Sequence, residues 1–253
     1  MVAFPYRLPT GFAGQITRSE EATVEAGMFN ASSMPAQFGH AIQEDANGIR
    51  ALTSSDTSIE GFLERPYPTS GNGTDGLGVA TPVSGTPGSK LKRGYMICKL
   101  GGSASAAKNG PVFVRVSNPS TGKVVGDVEA AADFTAGLTA TAGGSNTGNG
   151  TVTPDGTTPL LAGYQAGNYK LTFLTATTWS LLDPQGHSLP NGANGTANAD
   201  EIKFVTTAGG TPWVAGDTFT LTVAPPCIAI DPKTTNFTGP ADPAGLVEIA
   251  YNL

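Results

Sequence analysis

The chain has 253 residues, of which 34 are Gly, 19 are Pro and only 13% are charged, and its formal net charge is −6. Many turn-forming residues, together with a charged fraction well below the roughly 25% of ordinary domains, predict an all-β protein built from many short strands. The 14 Lys and Arg residues form no basic run and no window holds the roughly 18 apolar residues of a membrane-spanning helix, so we expect neither a nucleic-acid partner nor a membrane partner.

The N-terminal segment has the features of an arm that binds another molecule. The sequence of residues 1–12, MVAFPYRLPTGF, predicts an extended segment interrupted by proline. Their aromatic side chains, Phe4, Tyr6 and Phe12, are suited to anchor the segment along a partner's surface or to add it to the edge of a partner's sheet. The alternative is an N-terminal strand of the chain's own domain.

Two further segments of the N-terminal part predict regular structure. Residues 19–27, SEEATVEAG, begin with Ser, carry early acidic residues and end with Gly, which predicts a short helix, although the β-branched Thr23 and Val24 oppose it. Residues 59–65, IEGFLER, precede Pro66 and predict a strand that ends in an extended arm.

The clearest strand pair of the chain follows a polar, turn-rich run that begins at Gly143. In residues 167–186, GNYKLTFLTATTWSLLDPQG, apolar and polar side chains alternate as they do in half-buried strands. The sequence DPQG at residues 183–186 predicts a type I turn in which the Asp183 side chain bonds the backbone two residues on. These strands and two later ones predict a small β-sandwich, whose core would contain Tyr169, Leu171, Phe173, Trp179, Phe204, Phe219 and Leu221.

The end of the chain predicts a split domain. The tail after Pro225 and Pro226 closes with the strand-like LVEIAYNL and is too short to bury a core alone. We therefore expect it to pair with strands of the N-terminal part, which makes the middle segment an insertion. The expected organisation is a host domain of residues 1–140 and 225–253 around an inserted β-sandwich of residues 141–224.

No group of reactive side chains stands out in the sequence. The stretch GNGTDG at residues 71–76 matches GxGxxG, but the following TPVSGTPG cannot start the helix that a dinucleotide site requires, so we expect a loop. His40 and His187 are the only imidazoles, and neither has the neighbours of a zinc site. We expect no catalytic residue, no cofactor and no metal.

The acidic residues of the middle segment lie in or near predicted turns, where their usual role is to accept hydrogen bonds from local backbone. A glycosidase can recruit two carboxylates from distant positions, so a β-sandwich hydrolase stays open as an alternative. The residues concerned are Asp155, Asp183, Asp200, Glu201 and Asp217.

Cys98 and Cys227 are the only cysteines, and both lie in apolar, strand-like contexts. We expect two buried free thiols, as in proteins that fold in a reducing compartment.

The first residues lack the charged leader and apolar core of a secretion signal. We therefore expect the protein to remain soluble where it is made, or to leave the cell by a route other than secretion.

Several stretches of the chain resemble the structural cement, or capsid decoration, proteins of tailed bacteriophages. The middle segment resembles a small β-module that recurs in phage head decoration and other virion proteins, through GNGTVTPDG, residues 167–186 and PWVAGDTFTLTV. The remaining stretches are MVAFPYRLPTGFAGQITR, FGHAIQEDANGIRAL, IEGFLERPYP, PVFVRV, KVVGDVEAAAD and FTGPADPAGLVEIAYNL.

This resemblance implies a fold, a location and partners. It implies a non-enzymatic protein with a jelly-roll-like body, assembled in the host cytoplasm, which binds the outer surface of an icosahedral shell and stabilises it. The implied partners are the major capsid protein and further copies of the chain, as a dimer or trimer at symmetry positions of the lattice. The expected capsid contacts are Phe4, Tyr6, Arg7 and Phe12, and the inserted module is expected to project outward.

Two tryptophans favour a different function. If Trp179 and Trp213 are exposed on one sheet face, they provide a platform on which a sugar ring can stack. The chain would then be a glycan-binding or host-surface-binding module of a virion fibre. Both residues lie among apolar neighbours in alternating strands, where packing in the core is the more frequent role of Trp.

Overall fold

The computed structural model describes residues 11–66 and 81–253. Their backbone forms one 3-10 turn, Ser19–Glu21, and eighteen strands numbered in chain order. The first seven strands are β1 (Thr23–Met28), β2 (Ala41–Asp45), β3 (Gly48–Arg50), β4 (Gly61–Glu64), β5 (Pro87–Lys99), β6 (Phe113–Arg115) and β7 (Val128–Glu129). The next eight are β8 (Leu138–Ala142), β9 (Thr151–Pro154), β10 (Gly167–Phe173), β11 (Thr178–Leu182), β12 (Ser188–Ala193), β13 (Ala197–Ala199), β14 (Lys203–Thr207) and β15 (Thr218–Val223). The last three are β16 (Cys227–Ala229), β17 (Asn236–Phe237) and β18 (Leu246–Tyr251).

The strands divide into two compact units. The first unit comprises Met1–Ala132 and Cys227–Leu253, and the second unit comprises Asp133–Pro226. All strand pairs that form the sheets of both units are antiparallel, and the all-β class that composition predicted is confirmed. Within the described residues, no helix has the length and apolar character needed to cross a bilayer.

The long strand β5 organises the first unit. A seven-stranded sheet has the order β17-β18-β5-β4-β2-β3, and β1 also pairs with β5. Residues 89–91 of β5 pair with both β1 and β4, so these two strands lie on opposite edges of its first half. Its second half pairs with β18, from Gly94 to Lys99. Gly94 lies where the pairing partner of β5 changes from β1 to β18. Its φ is +131°, a conformation that favours glycine.

The first unit buries apolar side chains on both faces of this sheet. Phe62 and Leu63 are neighbours on β4, so their side chains point to opposite faces, and both are fully buried. Phe62 lies in the larger cluster, where its ring meets the edge of the Tyr251 ring of β18. Leu63 belongs to a second cluster with Ile42 and Ile49. A separate three-stranded sheet, β16-β6-β7, contributes Val114 and Val128 to the larger cluster.

The helix predicted over residues 19–27 is wrong. Only Ser19–Glu21 forms a 3-10 turn, and the remainder is β1. Cross-strand pairing with β5, together with the β-branched Thr23 and Val24, outweighs the weak local signal for a helix. By contrast, the strand predicted over residues 59–65 is confirmed as β4, and the arm expected beyond Pro66 lies outside the described residues.

The second unit has the core that its alternating strands predicted. A five-stranded sheet of order β12-β11-β10-β15-β8 and a three-stranded sheet of order β13-β14-β9 share one apolar cluster. The Trp179 ring of the larger sheet lies 5.2 Å from the Phe204 ring of the smaller sheet, measured between centroids. All seven predicted core residues are buried in this cluster: Tyr169, Leu171, Phe173, Trp179, Phe204, Phe219 and Leu221.

The predicted turn between β11 and β12 is also confirmed. The Gly186 N–H donates to the Asp183 carbonyl oxygen at 3.0 Å, which closes the turn. The Asp183 carboxylate accepts hydrogen bonds from the N–H groups of Gln185 at 2.9 Å and His187 at 2.7 Å. The aspartate therefore fixes the turn in the way that its side chain predicted.

Candidate interaction surface

The structure locates one of the four residues expected to contact the capsid. Phe4, Tyr6 and Arg7 lie outside the described residues. Phe12 is half-buried, and the Arg65 guanidinium lies 5.3 Å from the centroid of its ring. The described part of the predicted arm therefore packs against its own unit at the end of β4.

The backbone after Phe12 is hydrogen-bonded to the second half of β5. The Gly14 N–H donates to the Ile97 carbonyl oxygen at 2.8 Å, and the Ile97 N–H donates to the Gln15 carbonyl oxygen at 2.9 Å. Gly14 has a φ of +85°, and a Cβ atom there would lie 2.8 Å from the Arg65 backbone nitrogen. Only glycine therefore fits where this segment passes β4.

A groove of about 620 Å³ opens between this segment, the beginning of β1 and the end of β4. Its apolar side comes from one aromatic ring and three aliphatic side chains, and its polar side includes one acidic and one basic residue. Burial raises the pKa of the Glu64 carboxyl, and a hydrogen bond with Ser89 only partly offsets this effect. The lining includes Phe12, Ile16, Ala22, Val24, Glu64 and Arg65.

Strand β1 borders this groove and is exposed along its length. Val24, Ala26 and Met28 alternate on one face of the strand, opposite Leu91, Ser89 and Pro87 of β5. Val24 is 41% exposed and Met28 is 53% exposed, which places them among the large apolar residues that remain open to solvent. The three side chains form a surface that we call the β1 stripe.

A cluster of charges occupies the other face of β1. Glu25 lies directly opposite Lys90 on β5, with 3.5 Å between its carboxylate and the ammonium nitrogen. Lys90 also contacts Glu44, and Glu60 lies 3.8 Å away. Burial acts to lower the pKa of Lys90, but the carboxylates, led by Glu44, outweigh it and raise this pKa. The cluster therefore keeps a buried cation charged beneath an acidic surface.

Both tryptophans lie in the core of the second unit, so the exposed platform that glycan binding requires is not formed by them. Trp179 is 1% exposed and Trp213 is 2% exposed. Trp213 stacks on Phe173 with ring centroids 4.4 Å apart, and the Trp179 indole N–H donates to the Thr206 hydroxyl at 3.2 Å. Both indole rings therefore pack in the core, which is the more frequent role of Trp.

The two histidines occupy different surroundings. His40 and Asp127 are both buried, with 3.1 Å between Nε2 and the carboxylate oxygen, so this pair has no open cleft for a substrate. His187 is exposed, and its Nδ1 lies 3.0 Å from Asp183 at the β11–β12 turn. The GxGxxG stretch at residues 71–76 lies outside the described residues.

Other reactive groups are also sequestered or occupied by local backbone. The Cys98 and Cys227 thiols are buried, and burial raises the pKa of Cys98 well above its usual range, with the Asp127 charge adding to the effect. Asp155 accepts hydrogen bonds from two N–H groups of its own turn, those of Thr157 and Thr158. Within residues 11–66 and 81–253, no three His, Cys, Asp or Glu side chains converge on a metal-sized site.

Sequence reasoning missed the β1 stripe because residues 19–27 carry a helix-like start and stop. A different signal was present in the same stretch. Val24, Ala26 and Met28 alternate with Glu25 and Gly27, which is the period of a strand with one apolar face. No local pattern indicated the Lys90 cluster, because its members come from separate strands.

Two solved structures have a partial likeness to this chain. A crystal structure of Xanthomonas campestris FlgL in space group H3 has 19% identity and a TM-score of 0.28, covering 37% of this chain and 31% of FlgL. A second FlgL crystal structure, in space group C2, has 17% identity and a TM-score of 0.28, covering 48% of this chain and 33% of FlgL. The chain thus spans about a third of FlgL, and a likeness at this level carries no argument about function.

None of the curated proteins matches this chain. The family model described as "Structural cement protein (E217 gp24/Pam3 gp6)" matches residues 3–160, which is more than half of the chain. The match includes the N-terminal segments that carried the resemblance to phage cement proteins. The chain therefore belongs to the structural cement protein family of bacteriophages.

Proposed function

We propose that this protein binds the outer surface of an icosahedral phage shell and stabilises the contacts between major capsid proteins. Membership of the cement protein family, over residues 3–160, is the observation that carries the proposal. That membership makes the chain a structural protein of the phage capsid and implies association with capsid proteins. The outer surface and the contacts between subunits are the further steps proposed here.

The physical basis of stabilisation is mass action. A protein that binds the assembled shell, and not its separated subunits, stabilises the shell by the free energy of that binding. One contact contributes little to a shell that encloses packaged DNA, but the same contact is repeated at every equivalent position. Weak binding per subunit therefore becomes a large stabilisation per particle.

We attribute this action to binding alone, without a chemical step. The His40–Asp127 pair and the Cys98 thiol are buried, and Asp155 and Asp183 accept hydrogen bonds from local backbone. The first unit instead exposes the β1 stripe, the groove beside it and several acidic residues. Apolar side chains with polar residues around them are typical of a binding surface.

Two further points concern the arrangement on the shell. We propose that copies associate as a dimer or trimer at symmetry positions of the lattice, because a closed interface follows the symmetry of the surface it covers. We also propose that the second unit points away from the shell, where its added volume meets no capsid protein. Assembly then takes place on shells in the host cytoplasm.

The test is rebinding to particles that lack the protein. Purified protein should bind such particles until all equivalent sites are filled, and it should raise the temperature at which they release DNA. An unrelated acidic protein of similar size and net charge serves as a control for nonspecific adsorption. Absence of saturable binding, or saturable binding with no change in the release temperature, would contradict the proposal.

A further inference from the structure

Most of the outer edge of β1, from Thr23 to Gly27, is an open edge of a sheet. One edge of β1 pairs with β5, regularly from Val24 opposite Leu91 to Met28 opposite Pro87. In the part of the chain that the structure describes, no strand pairs with the other edge from Thr23 to Gly27. Just beyond β1, Phe29 forms a parallel bridge with Ile49 of β3, and the Asn30 N–H donates to the Ile49 carbonyl oxygen at 2.8 Å. Such an edge presents unpaired N–H and C=O groups to an incoming strand, and proteins commonly block it with Lys or Pro. The sequence of β1, TVEAGM, contains neither residue.

The apolar stripe lies along the same edge. Val24, Ala26 and Met28 are exposed on one face, and burying such side chains stabilises a complex because apolar surface leaves water. The stripe continues into the groove, since Val24 lines both, together with Ile16 and Phe12. An extended segment on β1 could thus cover the stripe and place one large apolar side chain in the groove.

The charges around β1 select the kind of segment. Glu20, Glu21 and Glu25 are exposed along the strand and just before it. Two cations lie near the beginning of β1. Arg18 pairs with Glu248 of β18, and Arg93, which is exposed, lies opposite Thr23. The excess negative charge favours a partner that carries Lys or Arg. It disfavours a second copy of β1, which would bring the same carboxylates to the interface.

We propose that the outer edge of β1 receives an extended segment of a shell subunit as an added strand, in which apolar side chains alternate with Lys or Arg. The apolar side chains cover Val24, Ala26 and Met28, and a basic side chain lies opposite Glu25. Main-chain hydrogen bonds supply affinity, and the alternation supplies specificity. The proposal rests on the proposed capsid binding and names the surface that performs it.

The first experiment measures the affinity of Ala26→Lys/Met28→Lys for particles that lack the protein. Both side chains are exposed, so the fold is expected to persist, and a thermal unfolding curve checks this. Lysines on the stripe repel the basic segment and block its apolar contacts, so the affinity should fall at least tenfold. Leu174→Lys/Val214→Lys, which changes two exposed apolar residues of the second unit, is the matched control and should bind like the wild type.

The second experiment measures amide hydrogen exchange of the wild-type protein, free and bound to particles. An added strand engages the outward N–H groups of β1, so their exchange should slow at least tenfold on binding. The exposed β12 strand in the second unit should exchange at the same rate in both states. This measurement does not depend on a variant that folds.

The outcomes separate this inference from the proposed function. If the wild type binds but β1 exchange and the affinity of Ala26→Lys/Met28→Lys are unchanged, the inference is overturned and capsid binding stands. Protection of β1 in the free protein, with a smaller oligomer for the lysine variant, would instead assign the edge to a second copy and overturn it as well. If the wild type does not bind particles, both proposals fail.

Discussion

At the scale of single residues, glycine determines how Trp213 packs in the second unit. A Cβ atom on Gly148 would lie 2.4 Å from the Trp213 ring, and a Cβ atom on Gly150 would lie equally close. Real Cβ atoms do not approach other atoms so closely, so the chain can cross this ring only where it has no side chain. The polar run after Gly143 is therefore part of the packing of the sandwich as well as a turn-rich connection.

This packing predicts a large effect of one added methyl group. Gly150→Ala should destabilise the second unit by about 1–3 kcal/mol, because overpacking forces the ring or the backbone to move. Urea unfolding followed by Trp fluorescence measures this unit alone, since both Trp residues lie in it. Gly144→Ala is the matched control, because nothing lies within 4 Å of its added Cβ atom. Equal midpoints for the two variants would contradict the packing account.

The carboxylate beside Trp213 holds the same loop. Asp217 is buried and accepts hydrogen bonds from the N–H groups of Thr147 at 2.8 Å, Gly148 at 2.9 Å and Val214 at 3.1 Å. Burial acts to raise the pKa of Asp217, but the three N–H donors outweigh it, so this pKa lies below its ordinary value. The charged form is therefore the form that stabilises the fold.

A pH dependence follows from that shift. Because the folded-state pKa is lowered, the stability that Asp217 contributes is fully present above its unfolded pKa of about 4 and is lost as the pH falls through the folded pKa. Asp217→Asn should lower the melting temperature of the second unit at pH 7, and its difference from the wild type should shrink below about pH 4. Asp200→Asn, at an exposed turn, is the control. A difference that is the same at pH 7 and pH 3 would refute this account.

At the scale of elements, local patterns predicted strands whose partners are also local. The β10–β11 hairpin and its following turn were predictable because alternation and the DPQG signal lie within residues 167–186. Strand β1 was not predicted, because it pairs with β5, whose residues lie far along the chain. The β1 stripe escaped prediction because the helix-like start and stop of residues 19–27 outweighed its alternation, and because exposure on an edge depends on which strands pair.

The pairing of β6 and β7 includes a buried ion pair that sequence patterns did not indicate. Arg115 Nε and a Glu129 carboxylate oxygen are in contact, and Arg115 Nη2 donates to the other oxygen at 3.1 Å. Both side chains are almost completely buried. Removing one partner of such a pair leaves a charge without compensation in the core, whereas replacing both with apolar residues often costs little.

Variants of this pair should therefore be strongly non-additive. Arg115→Met should destabilise the first unit by about 3–5 kcal/mol, because Glu129 then stays buried without its cation. The double variant Arg115→Met/Glu129→Leu should recover most of the loss. Chemical unfolding monitored by far-UV circular dichroism measures each variant. If the double variant loses as much as the two single variants added together, the pair does not act as a unit.

At the scale of the whole molecule, the two ends of the second unit lie side by side. The Ala224 N–H donates to the Gly137 carbonyl oxygen at 2.8 Å, and Val223 pairs with Leu138. An inserted module needs this arrangement, because the chain must leave and re-enter its host at one place. The composition change after Gly143 and the short tail after Pro226 predict such an organisation, with residues 141–224 as the insertion.

Removal of the second unit tests the proposed split. Replacing residues 137–224 with a short Gly-Ser linker should leave a folded first unit, because that unit has its own apolar clusters and its own sheets. The shortened protein should still bind particles, if the first unit contains the capsid-binding surface. Circular dichroism and a particle-binding titration are the measurements. If the first unit folds but does not bind particles, the binding surface lies in the second unit.

Composition predicted the all-β class, and the resemblance of several stretches to phage cement proteins predicted the family that the match over residues 3–160 shows. The proposed binding surface could not be predicted from the sequence, because an edge strand is defined only by which strands pair with it. The N-terminal residues Phe4, Tyr6 and Arg7 stay a proposal for capsid contact, beside the β1 stripe.

The most direct measurement of the central claim is the copy number of this protein in purified virions. Quantitative mass spectrometry of virions gives its ratio to the major capsid protein. A protein that stabilises the shell at equivalent positions should be present in a fixed, simple ratio that is unchanged from one preparation to the next. Its absence from virions, or the presence of only a few copies per particle, would contradict the account.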